Sequence, residues 1–198
     1  MKLFLLIGQS NMAGRGKVEP QDQVVNPKIF MLTKDLTWVP AKDPLHFDKP
    51  AAGVGLGSQF AREISKADPN ASIGLIPCAV GGTSLDQWKA GGALYNEAVK
   101  RSKEAMKNGK LAGILWHQGE ADSAPDKVAT YADRFSVMIG QISGSHPQGA
   151  CHRYGRHDPR NSQAMKEGGY AKIPVTTLVG FTPVSFWSRP WKGKVSFL

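Results

Sequence analysis

The chain has 198 residues and carries 25 Lys and Arg against 16 Asp and Glu, a formal net charge of +9. Hydrophobic residues make up 41% and charged residues 21%, proportions typical of a globular domain, which excludes disorder as the main state. Two cysteines exclude a disulfide scaffold, and no apolar run approaches the roughly 20 residues of a membrane-spanning helix. We therefore expect no membrane association.

The predicted elements alternate between strands and helices. Three short apolar runs are typical of strands buried on both faces, and they span 3–7, 73–77 and 112–116. A further strand is predicted at 28–32. Apolar residues recur at helical spacing in three segments, 57–66, 93–107 and 127–142. This alternation predicts an α/β fold with a parallel sheet covered by helices on both faces, in which 40–56 forms a rim or lid loop.

The first apolar run and the last quarter of the chain need separate interpretation. The run at 3–7 is too short for a signal peptide and leads into Gly8 without a cleavage site, so we expect a cytoplasmic protein with reduced thiols. After residue 142 both periodicities fade, and only 173–181 has a strand pattern. Residues 1–143 have a net charge of +3 and residues 144–198 one of +6. We predict one domain over 1–143 and an atypical basic tail over 144–198.

Polar, glycine-bearing segments follow three of the predicted strands, where ligands bind in parallel sheets. In the first, Gly8 to Gly14, Ser10 is a candidate nucleophile, because a serine at a strand end among small residues allows close approach of a substrate. The alternative is that Ser10 and Asn11 merely cap a helix. In the second segment, Ala79 to Trp88, Gly81 and Gly82 are candidates for an N–H that stabilises an oxyanion, or for an ordinary turn into a helix capped by Thr83 or Ser84.

The third segment starts at His117 and contains Gln118 and Glu120. The Gln118 amide is a candidate oxyanion donor, and the Glu120 carboxylate is suited to orienting a histidine or binding a substrate hydroxyl. The alternative is a solvated loop. His117 itself is more typical of a packed histidine than of a catalytic base, and no second histidine stands at metal-ligand spacing from it.

Together, Gly8-Gln9-Ser10-Asn11-Met12-Ala13-Gly14, Gly81-Gly82-Thr83-Ser84-Leu85-Asp86-Gln87-Trp88 and Trp116-His117-Gln118-Gly119-Glu120-Ala121-Asp122 resemble the signature blocks of the SGNH-hydrolase superfamily. More narrowly they resemble the sialate O-acetylesterase and acetylxylan esterase group, carbohydrate esterase family 6. Their order and spacing match over about residues 1–143.

The resemblance implies a flavodoxin-like three-layer α/β/α sandwich and hydrolysis of an acetylated carbohydrate without metal or cofactor. It implies an acyl-enzyme on Ser10 and an oxyanion hole made by the Ser10 N–H, a glycine of Gly81-Gly82 and the Gln118 side chain. Glu120 matches a family carboxylate that supports the site. We expect removal of one oxyanion donor to lower turnover about 100- to 1000-fold.

The chain departs from the family where the catalytic base is expected. Family members carry a late Asp-x-x-His motif and a final helix, but no such motif follows residue 143. The candidate bases are His157 and His152, with His146 the other late histidine. Asp43-Pro44-Leu45-His46 fits the Asp-x-x-His pattern but lies too early in the chain, so we interpret the match as coincidental. Because the loss of periodicity, the basic charge and the missing motif coincide, we hypothesise that the tail is frameshifted or otherwise altered.

Two rival functions follow from these features. A catalytically impaired carbohydrate-binding relic retains the pocket but lacks the Asp-x-x-His base. A nucleic-acid-binding module would explain the charge of +9, but its one basic and aromatic cluster, 186–192, is better interpreted as an amphiphilic tail, so we expect no nucleic-acid partner. The sequence leaves the oligomeric state and the identity of the sugar open.

Overall fold

The computed structural model describes residues 1–145 and, beyond them, the backbone of two strands. The strands are β1 (Lys2–Gly8), β2 (Ile29–Leu32), β3 (Trp38–Pro40), β4 (Ile73–Pro77), β5 (Lys110–His117), β6 (His152–Tyr154) and β7 (Thr176–Gly180). The helices are α1 (Ser10–Ala13), α2 (Leu56–Ala67), α3 (Ala93–Ala105) and α4 (Pro125–Gly144). Short 3₁₀ helices span Pro20–Gln23, Leu85–Trp88 and Glu120–Asp122.

The strands form one sheet in the order β3-β2-β4-β1-β5-β7-β6. Strands β2, β4, β1 and β5 are parallel, which confirms the predicted parallel arrangement for the centre of the sheet. Both edges are antiparallel instead, since β3 pairs with β2, β7 with β5 and β6 with β7. The sheet is therefore mixed, as is common when antiparallel strands flank a parallel core.

The central strand β1 is buried on both faces, and its alternating side chains enter two separate cores. Leu3, Leu5 and Ile7 pack with residues of α3 and α4. Phe4 and Leu6 pack on the other face with Met12 of α1 and residues of α2. The predicted three-layer α/β/α sandwich is confirmed by this division of the core.

The helices differ little from their predicted bounds. The second predicted helix ends at Ala105, two residues early, and α4 begins at Pro125, because proline fits the first turn of a helix. In the described part of the chain, no helix is both long and apolar enough to cross a membrane.

The predicted tail is only partly covered by the structure. Helix α4 ends at Gly144, next to the predicted domain boundary, and the strand predicted at 173–181 is observed as β7. The rest of 146–198 lies outside the described residues, so the boundary and the altered tail stay predictions.

Candidate active site

The three predicted segments meet where β1, β4 and β5 end. The backbone N–H of Val80, after β4, donates to the Gly8 carbonyl at 3.0 Å. The Gln9 N–H donates to the His117 carbonyl at the end of β5, also at 3.0 Å. All three segments are therefore hydrogen-bonded to one another at the carboxyl edge of the sheet, as their positions after parallel strands predict.

Gly8 makes this close approach possible. Its φ of +131° is rarely adopted by residues with a side chain, and a Cβ at this position would lie 2.2 Å from the His117 carbonyl oxygen. The chain can turn from β1 into α1 against β5 only with glycine at this residue.

Ser10 is the first residue of the short helix α1. The cap position is occupied by Gln9, which makes no side-chain cap hydrogen bond, so the interpretation of Ser10 and Asn11 as helix caps is wrong. Ser10 is half-buried, and within residues 1–145 neither its hydroxyl nor its backbone N–H has a hydrogen-bond partner. The hydroxyl is thus not committed to a structural role in this part of the chain.

Glu120 connects the first and third segments. Its Oε1 accepts a hydrogen bond from the side-chain amide of Asn11, the neighbour of Ser10, and both residues are exposed. Burial lowers the pKa of His117 below its usual range, and the Glu120 carboxylate offsets this only in part. That Glu120 orients a catalytic histidine stays a prediction.

The two glycines of the second segment have different environments. Gly81 is buried, and its N–H donates to Asp48 Oδ2 at 2.8 Å. Gly82 is exposed with a φ of +84°, and its N–H has no partner among the described residues. The predicted turn into a capped helix is confirmed, since Ser84 is the N-cap of Leu85–Trp88. The oxyanion role of the two glycines stays a prediction.

Gln118 is fully buried, and its side chain joins the third segment to the second. Its Nε2 donates to the Thr83 carbonyl at 3.2 Å and to Asp122 Oδ2 at 2.5 Å. Its Oε1 accepts from the Tyr131 hydroxyl at 2.7 Å. Because both amide hydrogens are engaged, the oxyanion role of Gln118 stays a prediction that requires one of these bonds to be exchanged.

Sequence reasoning assigned no role to Asp122, although this residue closes the third block. Its buried carboxylate accepts from the Leu85 N–H at 2.7 Å in addition to Gln118, and Arg134 Nη2 lies 3.6 Å from its other oxygen. Asp122 therefore links the turn after β4 to the end of β5. Its position in the block was the one available signal.

A second pair that sequence reasoning missed is formed by Arg15 and Asp48. Arg15 Nη2 lies 2.7 Å from Asp48 Oδ2, and Arg15 Nη1 donates to the Gly14 carbonyl at 2.7 Å. The Asp48 side chain is only 1% exposed. Burial acts to raise the pKa of Asp48, but the Arg15 guanidinium and the Gly81 N–H outweigh it and hold the pKa below its usual range. Nothing in the rim-loop sequence indicates this contact.

The structure brings no catalytic base to Ser10 within residues 1–145. His146 and His157 lie outside the described residues, and of His152 only the backbone in β6 is described. Asp43 and His46 are not hydrogen-bonded to each other: Asp43 Oδ2 accepts from the Ser58 hydroxyl at 2.5 Å, and neither Asp43 Oδ1 nor His46 Nε2 has a partner among the described residues. No cluster of three metal-ligating side chains occurs among the residues described.

Comparison with known proteins assigns the family. Residues 1–145 match the family model described as carbohydrate esterase, sialic acid-specific acetylesterase. A probable carbohydrate esterase from Arabidopsis thaliana is 40% identical over 141 residues, which cover 61% of this chain and 54% of the plant protein. The chain thus spans about half the length of the curated relative it matches.

Solved structures share the fold of this chain. The X-ray structure of an Arabidopsis thaliana protein superposes with a TM-score of 0.68 and 35% identity, covering 73% of this chain and 68% of that chain. NanS, at 20% identity and a TM-score of 0.61, shares the fold over 73% of this chain and 61% of its own. A carbohydrate acetylesterase from Xanthomonas citri, at 19% identity and 0.52, shares it over 73% and 38%. The chain belongs to the carbohydrate esterase family of sialic acid-specific acetylesterases.

Proposed function

We propose that the protein is a serine esterase that removes O-acetyl groups from a carbohydrate through an acyl-enzyme on Ser10. The observation that carries the proposal is the uncommitted Ser10 hydroxyl at the junction of three hydrogen-bonded segments, in a chain that belongs to a carbohydrate esterase family. An ordinary structural serine at a strand end would use its hydroxyl as a cap, which Ser10 does not.

In the proposed reaction, Ser10 Oγ attacks the acetyl carbonyl carbon and gives its proton to a base. The carbonyl oxygen becomes an oxyanion, which the Ser10 N–H and a glycine N–H of the second segment stabilise. The bond to the sugar oxygen then breaks, and the sugar leaves as an alcohol carrying that proton. Water hydrolyses the acetyl-serine to acetate and regenerates Ser10. His157 and His152 are the proposed candidates for the base.

The proposed substrate is an acetylated sugar with a negative charge. The family description names sialic acid, whose carboxylate is ionised at neutral pH. A cation at the mouth supports this class, since Lys49 Nζ lies 4.0 Å from the position that a Cβ on Gly82 would occupy. Lys49 forms no ion pair within the described residues. Acetylated xylan, which carries no comparable charge, is the natural comparison.

The test measures release of acetate from O-acetylated sialic acid and from acetylated xylan, and of p-nitrophenol from p-nitrophenyl acetate. We expect Ser10→Ala to lower each rate by several orders of magnitude, leaving only the slow attack of water that the backbone donors assist. Ser136→Ala is the matched control, because Ser136 is exposed on α4 and within residues 1–145 its hydroxyl bonds only to the carbonyl of Ala132 in the same helix. Its rates should stay within about twofold of those of the unmodified protein. Equal rates in the two variants would contradict the proposal.

A second candidate function is the binding relic. It is favoured by one observation, the lack of a base in contact with Ser10 within residues 1–145. It predicts that acetylated sugar binds, as measured by calorimetry, while Ser10→Ala leaves the slow hydrolysis unchanged.

A further inference from the structure

We propose that the N–H of Gly82, rather than that of Gly81, is the glycine donor of the oxyanion hole, and that Asp48 and Arg15 are positioning residues that hold it in place. The inference rests on the proposed function and assigns roles to two side chains outside the three sequence blocks.

The peptide N–H of Gly81 is not available to an oxyanion. It already donates to Asp48 Oδ2 at 2.8 Å, so its donor capacity is used inside the protein. Gly82 follows with a φ of +84°, is exposed, and has an N–H without a partner among the described residues. Of the two glycines, Gly82 alone has a free donor at the mouth of the described site.

The Asp48 carboxylate can hold this turn because it is itself fixed. Its two oxygens face the two terminal nitrogens of Arg15, at 3.4 and 2.7 Å, in a two-point contact that restricts both side chains. Arg15 is anchored in turn by the Gly14 carbonyl, four residues after Ser10. The pair therefore connects the nucleophile segment, the rim loop and the second segment.

Gly81 is fitted to this pair. A Cβ on Gly81 would lie 2.3 Å from Arg15 Nη2 and 3.1 Å from Asp48 Oδ2, so a side chain here would displace the guanidinium. Among the described residues, a Cβ on Gly82 would meet no atom closer than Lys49 Nζ at 4.0 Å. The sterically sensitive glycine is therefore the one whose N–H donates to Asp48.

The experiment combines amide exchange with kinetics in the full chain. Hydrogen exchange followed by NMR should show Gly81 protected and Gly82 unprotected, and Asp48→Asn should speed exchange at Gly81 about 5- to 10-fold, as expected when a neutral amide oxygen replaces a charged acceptor. With p-nitrophenyl acetate, Asp48→Asn should lower kcat about 10- to 100-fold and leave KM within about twofold, since a misaligned oxyanion donor acts on the transition state.

Asp68→Asn is the matched control, because Asp68 also pairs with a basic side chain, Lys2 at 2.6 Å, but next to the start of β1. It should change neither readout. Arg15→Lys keeps the charge but loses the two-point contact, and should lower kcat in the same direction if Asp48→Asn fails to fold.

Failure of the positioning role and failure of the proposed esterase function give different results. If Ser10-dependent hydrolysis is present and both Asp48→Asn and Arg15→Lys match Asp68→Asn in kcat, the positioning role is overturned and the proposed function stands. If no hydrolysis depends on Ser10, the proposed function is overturned and the catalytic role of the pair with it. Strong protection of Gly82 in the unmodified protein would also overturn the assignment.

Discussion

His46 should make the protein sensitive to mild acid. The residue is only 4% exposed, and its Nε2 has no hydrogen-bond partner among the described residues. Burial lowers the pKa of His46 from its ordinary 6.5 to about 3. Three charged groups act on it more weakly, Asp48 raising the pKa and Arg15 and Arg101 lowering it. The folded state therefore holds His46 neutral.

The direction in which stability changes with pH follows from proton binding at His46. The unfolded chain takes up a proton at His46 near pH 6.5 and the folded chain only near pH 3, so folding stability falls as pH drops between these values. Each unit in this window costs about 1.4 kcal/mol. Integrated from pH 7 to pH 5, the loss is about 2 kcal/mol, and it reaches about 5 kcal/mol below pH 3. Above pH 7 the group contributes no pH dependence.

The assay is urea unfolding of the unmodified protein and of His46→Gln at pH 7 and pH 5. The free energy of unfolding of the variant, relative to the unmodified protein, should rise by about 2 kcal/mol between the two pH values, because other titrating groups cancel in the difference. Asp68→Asn is the control, since Lys2 keeps the pKa of Asp68 below its usual range and this carboxyl therefore stays ionised across the interval. A change below about 0.5 kcal/mol for His46→Gln would refute the reasoning.

Substitutions at three further positions test the packing beneath the site, each by urea unfolding. Gly8→Ala should destabilise the fold by about 3 kcal/mol or more, because its Cβ would lie 2.2 Å from the His117 carbonyl oxygen; an unchanged midpoint would contradict this. Asp122→Ala should cost about 3 to 5 kcal/mol by leaving the Leu85 N–H unpaired, and Asp122→Asn, which keeps an acceptor, should cost less. Tyr131→Phe should cost about 1 to 3 kcal/mol, because its buried hydroxyl joins an indole N–H to a side-chain amide, and a stable variant would show these bonds to be dispensable.

The centre of the fold was predictable because its signal is local. A run such as Leu3–Ile7 is apolar at every position, which is required of a strand buried on both faces, and β1 sends alternate residues into two cores. The antiparallel edges were not predictable in the same way. Strand β3 has three residues, Trp38–Pro40, too few for any periodicity, and it forms by pairing with β2.

The candidate site was likewise predictable in its location but not in its side-chain contacts. That the three polar segments converge follows from the geometry of parallel strands. The hydrogen bonds that the Gly8 carbonyl accepts from Val80 and that the Gln9 N–H donates to His117 confirm it. Which atoms each side chain contacts does not follow. The Gln118 amide is directed into the protein by Asp122, and Gly81 is engaged by a carboxylate 33 residues away in the rim loop, because tertiary packing sets both contacts.

Both an enzyme and a binding relic would hydrolyse an activated ester at a measurable rate. They differ in how much of that rate depends on Ser10. Backbone donors alone can stabilise a developing oxyanion, and serine hydrolases stripped of their triad retain about 10³- to 10⁴-fold catalysis over water. A relic with the Gly82 N–H in place would therefore hydrolyse p-nitrophenyl acetate slowly by direct attack of water. That rate would survive Ser10→Ala, whereas the rate of an acyl-enzyme pathway would not.

Mass spectrometry of the protein quenched during turnover adds an independent measure: an increase of about 42 Da on Ser10, the mass of an acetyl group replacing hydrogen, requires the covalent pathway. Its absence, together with a rate insensitive to Ser10→Ala, would assign the protein to the binding class.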